Sequence, residues 1–351
     1  MSITIGVDYH KKTSSYCVID DAGNKIKRCK LPNQKDAVKN FLLSFDEPIC
    51  LAMEATRSWS LYYDFIESYV NKFQLGHPKK MKALSESETK NDKHDSQVIA
   101  ELSHMGYLPQ AHVSSPLIRD IRDVVRYRGA LVQQRRSIKN MVHSLVDRTV
   151  WLEDRPKSFK DIFCQRGIKW LESLNLAPKQ KFILTDLLQS LENLNKTIKN
   201  IEGYITTFHD EFALMKHLKT VPGFRTGGIN TIVVLSEISD INRFRKAKGF
   251  VRYAGFIPRE HSSAGKISRG RLIKEANMHL RTAIIESTLA AIRIDKGLQA
   301  YYKSVKQRSG SSAAVIATAR KLATAIYFVL KEQRPYLPHK FDVPPVAACH
   351  S

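Results

Sequence analysis

The sequence predicts an α/β domain followed by a longer all-helical region. Over the first 112 residues, short apolar runs separated by turn residues alternate with helical patterns. From Pro116 onward, apolar residues recur at every third or fourth position, a spacing that is typical of helices. We therefore divide the 351-residue chain into three domains, at residues 1–112, 113–215 and 216–351.

Three strand-like runs open the first domain, at residues 3–7, 14–19 and 26–31, and polar turns join them into a meander. Helical and strand-like segments then alternate, at residues 37–45 (helix), 49–53 (strand), 59–70 (helix) and 73–76 (strand). Meander, helix, strand, helix and strand is the element order of a ribonuclease H-like (RuvC-like) domain. We predict that fold for residues 1–112.

Four acidic residues fall on this framework. Asp8 ends the first strand and Glu54 ends the fourth. Asp92 and Asp95 begin the next helical pattern, where i,i+3 spacing places both on one helix face. Converging carboxylates repel one another unless cations lie between them, and all-oxygen ligation suits Mg²⁺ or Mn²⁺, so we predict a divalent-metal site. The alternatives are a turn-capping role for Asp8 and a helix-dipole role for the Asp92 pair.

The second domain contains the most regular periodicity of the chain. A helical pattern over residues 117–145 is followed by an unbroken a/d seam from Leu184 to Phe212, which predicts coiled-coil helices. Such a seam must pair, either with the 117–148 helix or with another subunit. Basic residues on the first helix, among them Arg128 and Arg135, suggest that this arm also contacts phosphate.

The third domain opens with a Pro222-Gly223 turn between two helical segments, followed by Arg225. A turn of this kind presents backbone N–H groups at a helix N-terminus, where phosphate binds readily, so we predict a helix-hairpin-helix motif. Helices rich in Ala, Ile and Leu are expected at about residues 275–294 and 312–331.

Charge is distributed unevenly along the chain. There are 56 Lys and Arg against 34 Asp and Glu, which gives a formal net charge of +22. Residues 216–351 hold 24 basic and 8 acidic residues, so +16 of that charge lies there. This favours nucleic acid over a membrane surface as the partner, because no amphipathic helix combines a basic face with an aromatic one.

The densest positive charge surrounds two adjacent serines, Ser262 and Ser263. We predict a loop between helices over residues 249–274, because so many charges could not be buried together. A hydroxyl becomes a good nucleophile only with a base, a metal or electrostatic help, and an inert loop is the alternative. The residues expected to bind nucleic acid here are Arg252, Arg259, His261, Lys266, Arg269, Arg271 and Lys274.

Cysteine usage and apolar patterning indicate the compartment. The five cysteines form no C-x-x-C pair, so we expect neither a zinc site nor disulfides, and a reducing cytoplasm fits. The N-terminus lacks the apolar segment of a signal peptide. No apolar run reaches about 18 residues, so we expect no membrane span.

In combination, these motifs resemble the DEDD-type insertion-sequence transposases of family 110, which include the Piv/MooV DNA invertases. The motifs that carry the resemblance over nearly the whole chain are Gly6-Val7-Asp8, Glu54-Ala55-Thr56, Asp92-x-x-Asp95, Pro222-Gly223 and Tyr253-Ala254-Gly255-x-x-Pro258 leading to Ser262-Ser263. The resemblance implies that Asp8, Glu54, Asp92 and Asp95 form the family's acidic tetrad. It also implies that Ser263 is the nucleophile. Ser262 stays an alternative, because Ala264 stands where glycine usually follows the serine.

The resemblance further implies an enzyme that cuts and rejoins donor and target DNA through a covalent phosphoserine intermediate, with Mg²⁺ or Mn²⁺ at the acids. It implies guidance by a non-coding bridge RNA, assembly as a dimer and a dimer of dimers on DNA, and a prokaryotic, nucleoid-associated location in the cytoplasm. Two other functions stay open. One is a metal-dependent nuclease in which water attacks and Ser263 only positions phosphate. The other is a non-catalytic nucleic-acid-binding protein held together by its coiled coil.

Overall fold

The computed structural model describes residues 2–82, 92–156, 159, 161–263 and 266–338, and the side chains of residues 82, 92–94 and 260–271 lie outside that description. The chain forms two compact units, Met1–Val113 and Ser114–Ser351. Among the described residues, the first unit is mixed α/β, and the second is helical apart from one two-stranded hairpin. The predicted fold class is confirmed at this level.

A five-stranded sheet forms the centre of the N-terminal unit. Its elements in chain order are β1 (Ile3–Tyr9), β2 (Thr13–Ile19), β3 (Lys25–Pro32), α1 (Lys35–Leu42), β4 (Ile49–Glu54), α2 (Trp59–Ile66), β5 (Lys72–Gly76), α3 (Pro78–Lys82) and α4 (Asp92–His104). The strand order is β3-β2-β1-β4-β5. The meander β1-β2-β3 is antiparallel, whereas β4 and β5 add parallel to it on the other side of β1.

Helices cover both faces of this sheet. Alternate residues of the central strands, such as Ile5 and Val7 on β1 and Leu51 on β4, are fully buried in a core shared with α1 and α2. The residues between them face the opposite way, as strand geometry requires. On that second face α4 packs across β1, β2 and β4.

Helix α4 lies unusually close to β1. A Cβ added to Gly6 would be 2.2 Å from the Ser96 carbonyl oxygen and 2.5 Å from the Ala100 nitrogen, so a glycine is required by this packing. Near the other end of α4, the Ser103 hydroxyl lies 3.9 Å from the sulfur of Cys50, close to the start of β4. Helix α4 therefore runs antiparallel to β1 and β4.

The C-terminal unit contains eight described α-helices and the hairpin. Its elements in chain order are α5 (Pro116–Thr149), α6 (Gln165–Ser173), α7 (Pro178–Thr206), α8 (Met215–Leu218), α9 (Ile229–Ile238), α10 (Ala247–Tyr253), β6 (Pro258–Ser263), β7 (Lys266–Leu272), α11 (Met278–Ile294) and α12 (Lys296–Lys331). Helix α12 consists of two helical segments that meet at Gly310, where φ is 80°.

The periodic seam of α7 packs within the chain. Its fully buried residues, Leu184, Leu191, Ile198 and Ile205, recur at every seventh position, and α7 packs along α5. The helix ends at Thr206, so the seam predicted to continue to Phe212 passes beyond α7 into a 3-10 turn. The intramolecular pairing of the seam is therefore present, and pairing with another subunit stays a prediction.

A large core joins the remaining helices. Helix α9 is buried along nearly its whole length and packs between α5, α11 and α7. Helix α12 is long and apolar enough to cross a membrane, by length and composition alone. The expectation that no apolar stretch is long enough for a membrane span was therefore wrong. The apolar window of α12 is 56% buried, and α12 packs against α10 and α11, which accounts for its apolar composition.

Candidate active site

Asp8 and Glu54 lie at the same end of two neighbouring parallel strands. In the ladder between β1 and β4, Val7 is opposite Met53, so the residues that follow them occupy the next position of the same register. Side chains alternate between the faces of a strand, so both carboxylates lie on the face of Gly6. This is the face that α4 covers. Asp8 is buried and Glu54 is half-buried.

Helix α4 brings its N-terminal end to this edge of the sheet. Ser96 is in contact with Gly6 on β1, and the helix runs from there toward the start of the strands. The residues that precede Ser96, Asp92 and the exposed Asp95, therefore lie toward the strand ends that carry Asp8 and Glu54. The sequence prediction placed the four acids on these same three elements.

The donors at this edge suit a hard divalent cation, because carboxylate oxygens are the ligands that Mg²⁺ and Mn²⁺ prefer. His10 lies beside them, with Nε2 3.0 Å from Oδ2 of Asp8. Among the side chains that the structure describes, no three His, Cys, Asp or Glu residues cluster closely enough to hold a metal ion. Asp8, Glu54 and Asp95 belong to that set and form no such cluster, and the side chain of Asp92 is outside it, so the four-carboxylate site stays a prediction.

The serine stretch is a β-hairpin, and the prediction of a loop between helices was wrong. The first residues of the stretch belong to α10, and β6 then pairs antiparallel with β7. Ser262 is opposite Ile267, and Ser263 is opposite Lys266 at the end of the ladder. The prediction failed because strands are detected from an apolar face, and this hairpin has too many charged residues to form one.

The predicted nucleic-acid-binding residues differ in how much of them the structure describes. Arg225, Arg252 and Lys274 are exposed, and Arg259 on β6 is half-buried. For six further residues of the predicted site, the structure describes the backbone and not the side chain: Asp92, His261, Ser263, Lys266, Arg269 and Arg271. For these six, the structure gives the place of the backbone in α4, β6 or β7.

Arg128 and Arg135 on α5 both contact α7. Two nitrogens of Arg128 donate to Oε1 of Glu202, Nε at 3.0 Å and Nη2 at 2.6 Å. Nη1 of Arg135 lies 3.4 Å from Oδ1 of Asn195. These contacts give both arginines a role in joining the two helices, and their predicted contact with phosphate stays a prediction.

The Pro222-Gly223 turn packs against α11. Gly223 has a φ of 88°, and a Cβ at this position would be 2.2 Å from the Ser287 carbonyl oxygen. The flanking Val221 and Phe224 are buried, whereas Arg225 is exposed. The glycine is thus required by the close approach of the turn to α11, and the helix on the N-terminal side, α8, has only four residues.

A buried carboxylate that sequence reasoning missed joins four helices. Glu237 on α9 is fully buried, and Arg126 on α5 donates to both of its oxygens at 2.8 Å. Asn277, which precedes α11, donates to Oε2 at 2.7 Å, and Tyr253 on α10 donates to the Glu237 carbonyl oxygen at 3.3 Å. Burial alone would raise the pKa of Glu237. The hydrogen bonds and charges of Arg126, Asn277 and Arg122 outweigh it and lower that pKa.

Two family models match the chain in the order of its two units. Residues 5–151 match the DEDD transposase model of the IS110 type, described as a transposase, and residues 215–303 match the model described as transposase of the IS116/IS110/IS902 family. Together the two models match about two thirds of the chain.

Curated relatives align with nearly the whole chain. The transposase for insertion sequence element IS1111A of Coxiella burnetii is 25% identical over 95% of this chain and 90% of its own length. A probable family 20 transposase of Pseudomonas aeruginosa is 23% identical over 95% of this chain and 98% of its own length. The pilin gene-inverting protein of Moraxella bovis is 24% identical over 95% of this chain and 97% of its own length. The chain therefore belongs to the IS110 family of insertion-sequence transposases.

Proposed function

We propose that this transposase cuts and rejoins DNA with two sets of residues: a metal-binding acidic tetrad in the N-terminal unit and the serine hairpin in the C-terminal unit. The observation that carries the proposal is the edge of the sheet described above. Two adjacent parallel strands carry carboxylates at the same end and on one face, and the helix with two further acids begins toward that edge. The known relatives named as transposases and as a pilin gene-inverting protein support DNA as the substrate.

The N-terminal unit is proposed to be a ribonuclease H-like domain. The strand order β3-β2-β1-β4-β5, with an antiparallel meander and two added parallel strands, supports this assignment. In such a sheet the first and fourth strands are neighbours, which brings Asp8 beside Glu54. Under this assignment the catalytic domain is residues 1–112, the helical arm is 113–215, and the transposase domain is 216–351.

Asp8, Glu54, Asp92 and Asp95 would hold Mg²⁺ or Mn²⁺. A divalent ion bound there supplies positive charge that offsets the negative charge developing on the scissile phosphate. The four carboxylates would hold the ion, and the sheet and α4 carry the residues that supply them. His10, in contact with Asp8, restrains the orientation of that carboxylate.

Ser263 is the proposed nucleophile. Its hydroxyl oxygen bonds to the phosphorus of the scissile phosphodiester while the bond from phosphorus to the leaving oxygen breaks. The serine loses its proton and the leaving oxygen gains one, so that the DNA is left with a free hydroxyl on one side and a phosphoserine bond on the other. Because that bond conserves the energy of the original linkage, attack by a DNA hydroxyl rejoins the strand and releases the serine.

Basic residues of the hairpin, of the segments near it in sequence and of α5 are proposed to bind the DNA backbone. Guanidinium groups pair with phosphate oxygens through two parallel hydrogen bonds and stabilise added negative charge. The residues assigned this role are Arg225, Arg252, Arg259, His261, Lys266, Arg269, Arg271, Lys274, Arg128 and Arg135. The same positive charge permits binding of RNA, and we propose that a structured non-coding bridge RNA guides the protein.

We also propose that the protein acts in the prokaryotic cytoplasm as a dimer, and as a dimer of dimers on DNA. The arm formed by α5 and α7 is the proposed subunit contact, because long paired helices offer an extended surface to a second copy. Light scattering of the full chain, alone and with DNA, tests this part. A monomer under both conditions contradicts it.

Denaturing electrophoresis of the full chain with labelled substrate DNA and Mg²⁺ tests the nucleophile. Wild type is expected to give a protease-sensitive protein–DNA adduct, because a phosphodiester to serine survives denaturation. Ser263→Ala is expected to form none, since it lacks the attacking oxygen. The neighbouring Ser262→Ala is the matched control and is expected to form the adduct.

Each other outcome contradicts the assignment in a different way. If the adduct persists in Ser263→Ala and is lost in Ser262→Ala, the nucleophile is the adjacent serine. If Ser263→Ala cleaves DNA and neither the wild type nor any variant forms an adduct, water attacks the phosphate and the protein is a metal-dependent nuclease.

A further inference from the structure

The serine hairpin is joined to the helices by two short segments, residues 254–257 before β6 and 273–277 after β7. The Ile273 N–H donates to the Ile257 carbonyl oxygen at 3.1 Å and closes the base of the hairpin. A two-stranded hairpin has little stability of its own. Contacts at this base must therefore determine how the hairpin is oriented on the C-terminal unit.

One side chain on α11 bridges both segments. Arg281 donates from Nη2 to the carbonyl oxygen of Gly255 at 2.9 Å, on the entering segment, and to that of Ile273 at 2.8 Å, on the leaving segment. Its Nε also donates to the Ala254 carbonyl oxygen at 3.3 Å. A guanidinium is a rigid planar group with several donors, so three bonds from one side chain fix both segments relative to α11.

The backbone at Gly255 is shaped for this contact. Its φ is 80°, and a Cβ would lie 1.8 Å from Nη2 of Arg281 and 2.4 Å from the Cβ of Ala276. Any side chain at this position would displace the guanidinium. The glycine in the Tyr253-Ala254-Gly255 motif therefore provides both the left-handed backbone and the space that Arg281 occupies.

Helix α11 is itself fixed at the end nearest Arg281. Asn277 caps the helix by accepting a hydrogen bond from the Leu280 N–H at 3.0 Å. Its Nδ2 donates to Oε2 of the buried Glu237 and, at 2.9 Å, to the hydroxyl of Tyr253. Arg281 lies one turn after this cap, so it extends from the capped end of α11 to the base of the hairpin.

We propose that Arg281 is a positioning residue that holds the hairpin in the orientation that Ser263 needs for attack. This inference rests on the proposed role of Ser263. Six strand residues span about 20 Å, so a small rotation at the base displaces the far end of the hairpin by ångströms. Misplacement of a reacting group by about 1 Å lowers a rate by about 10²-fold.

The test compares Arg281→Ala and Arg281→Lys with wild type in the full chain. We expect adduct formation at saturating DNA to fall about 10²-fold in Arg281→Ala and less in Arg281→Lys, since lysine restores a donor. The Kd for DNA and the melting temperature are expected to change little. Amide hydrogen exchange in residues 254–275 should accelerate at least about 10-fold, whereas exchange in 280–294 should not. Arg293→Ala, an exposed arginine on the same helix, is the control.

Three results would overturn the proposal: wild-type adduct formation in Arg281→Ala, unchanged exchange in the hairpin, or acceleration spread equally over α11 and α12. If Arg281→Ala does not fold, Arg281→Lys decides the question by the same measurements. Failure of the serine assignment is seen separately. Cleavage by Ser263→Ala would refute that assignment, while the exchange of the hairpin would still report what Arg281 does.

Discussion

The two proposed halves of the reaction are built on different kinds of scaffold. Asp8 and Glu54 lie near the same end of the two central strands of a sheet that is covered by helices on both faces. Ser263 ends a strand of a two-stranded hairpin, and hydrogen bonds from one arginine join both segments at its base to α11. The acidic edge should therefore be sensitive to changes in packed volume, and the hairpin to the loss of single polar donors.

The largest effect is expected where the chemistry of the acidic edge is removed without disturbing its scaffold. Asp8→Ala should lower DNA cleavage by about 10³-fold or more, because loss of the metal's charge costs several kcal/mol in the transition state. The melting temperature should change little, because the substitution relieves repulsion among the acids and loses the contact with His10. Cleavage assays in Mg²⁺ and thermal unfolding measure the two quantities.

Asp36→Ala is the matched control for Asp8→Ala, because Asp36 is an exposed carboxylate on α1 of the same unit. It should cleave at the wild-type rate. Normal cleavage by Asp8→Ala would show that the acidic edge has been assigned the wrong role.

The next effect concerns the polar network that supports the hairpin. Glu237→Ala should destabilise the C-terminal unit by about 3 kcal/mol, because it leaves Arg126 and Asn277 without their buried acceptor. This is the low end of the usual range, since the Arg126 side chain is 42% exposed. The melting temperature should fall by about 6–12 °C. Glu192→Ala removes the exposed ion pair with Lys196 on α7 and should cause no measurable change.

The pH dependence of stability gives a second measure of the same network. The pKa of Glu237 is lowered in the folded protein. Its contribution is therefore fully present above the unfolded pKa, about 4.3, and is lost as the pH falls through the folded value. Between pH 6 and 3, Glu237→Gln should lose less stability than wild type does. Equal slopes would show that Glu237 does not contribute in this way.

The smallest effect is expected from a change in packed volume at the acidic edge. Gly6→Ala should destabilise the N-terminal unit by about 1–3 kcal/mol, because the added methyl group forces α4 away from β1. Cleavage should fall as well, since α4 carries two of the acids. Gly203→Ala on α7 meets no atom within 4 Å and should be neutral or stabilising by up to about 1 kcal/mol. Wild-type stability of Gly6→Ala would mean that the sheet and α4 adjust easily.

The contrast between the scaffolds also explains what sequence reasoning recovered. The central strands of the sheet were predicted because residues such as Ile5 and Leu51 form short apolar runs, which are typical of buried strands when turn residues bound them. The start of α4 at Asp92 was predicted from the apolar spacing that follows it. The elements that carry the acids could therefore be predicted from local patterns, and their arrangement at one edge from the order of those elements.

The supports of the hairpin could not be predicted in the same way. The acceptors of Arg281 are main-chain carbonyl groups, which every sequence contains, so nothing in the pattern distinguishes it from Arg293. Glu237 lies in the otherwise apolar helix α9. This position predicts a buried charge, but it does not predict which residues pair with that charge. Arg126 is 111 residues away, and only the fold brings the two together.

The edge strand β3 has a consequence for the behaviour of the protein in concentrated solution. Among the described strands, β3 pairs with β2 alone, and an open edge of this kind is a template on which another chain can add. Four of its residues, Lys25, Lys27, Arg28 and Lys30, are exposed cations. Their mutual repulsion opposes edge-to-edge addition of a second copy, so these charges protect the sheet against aggregation.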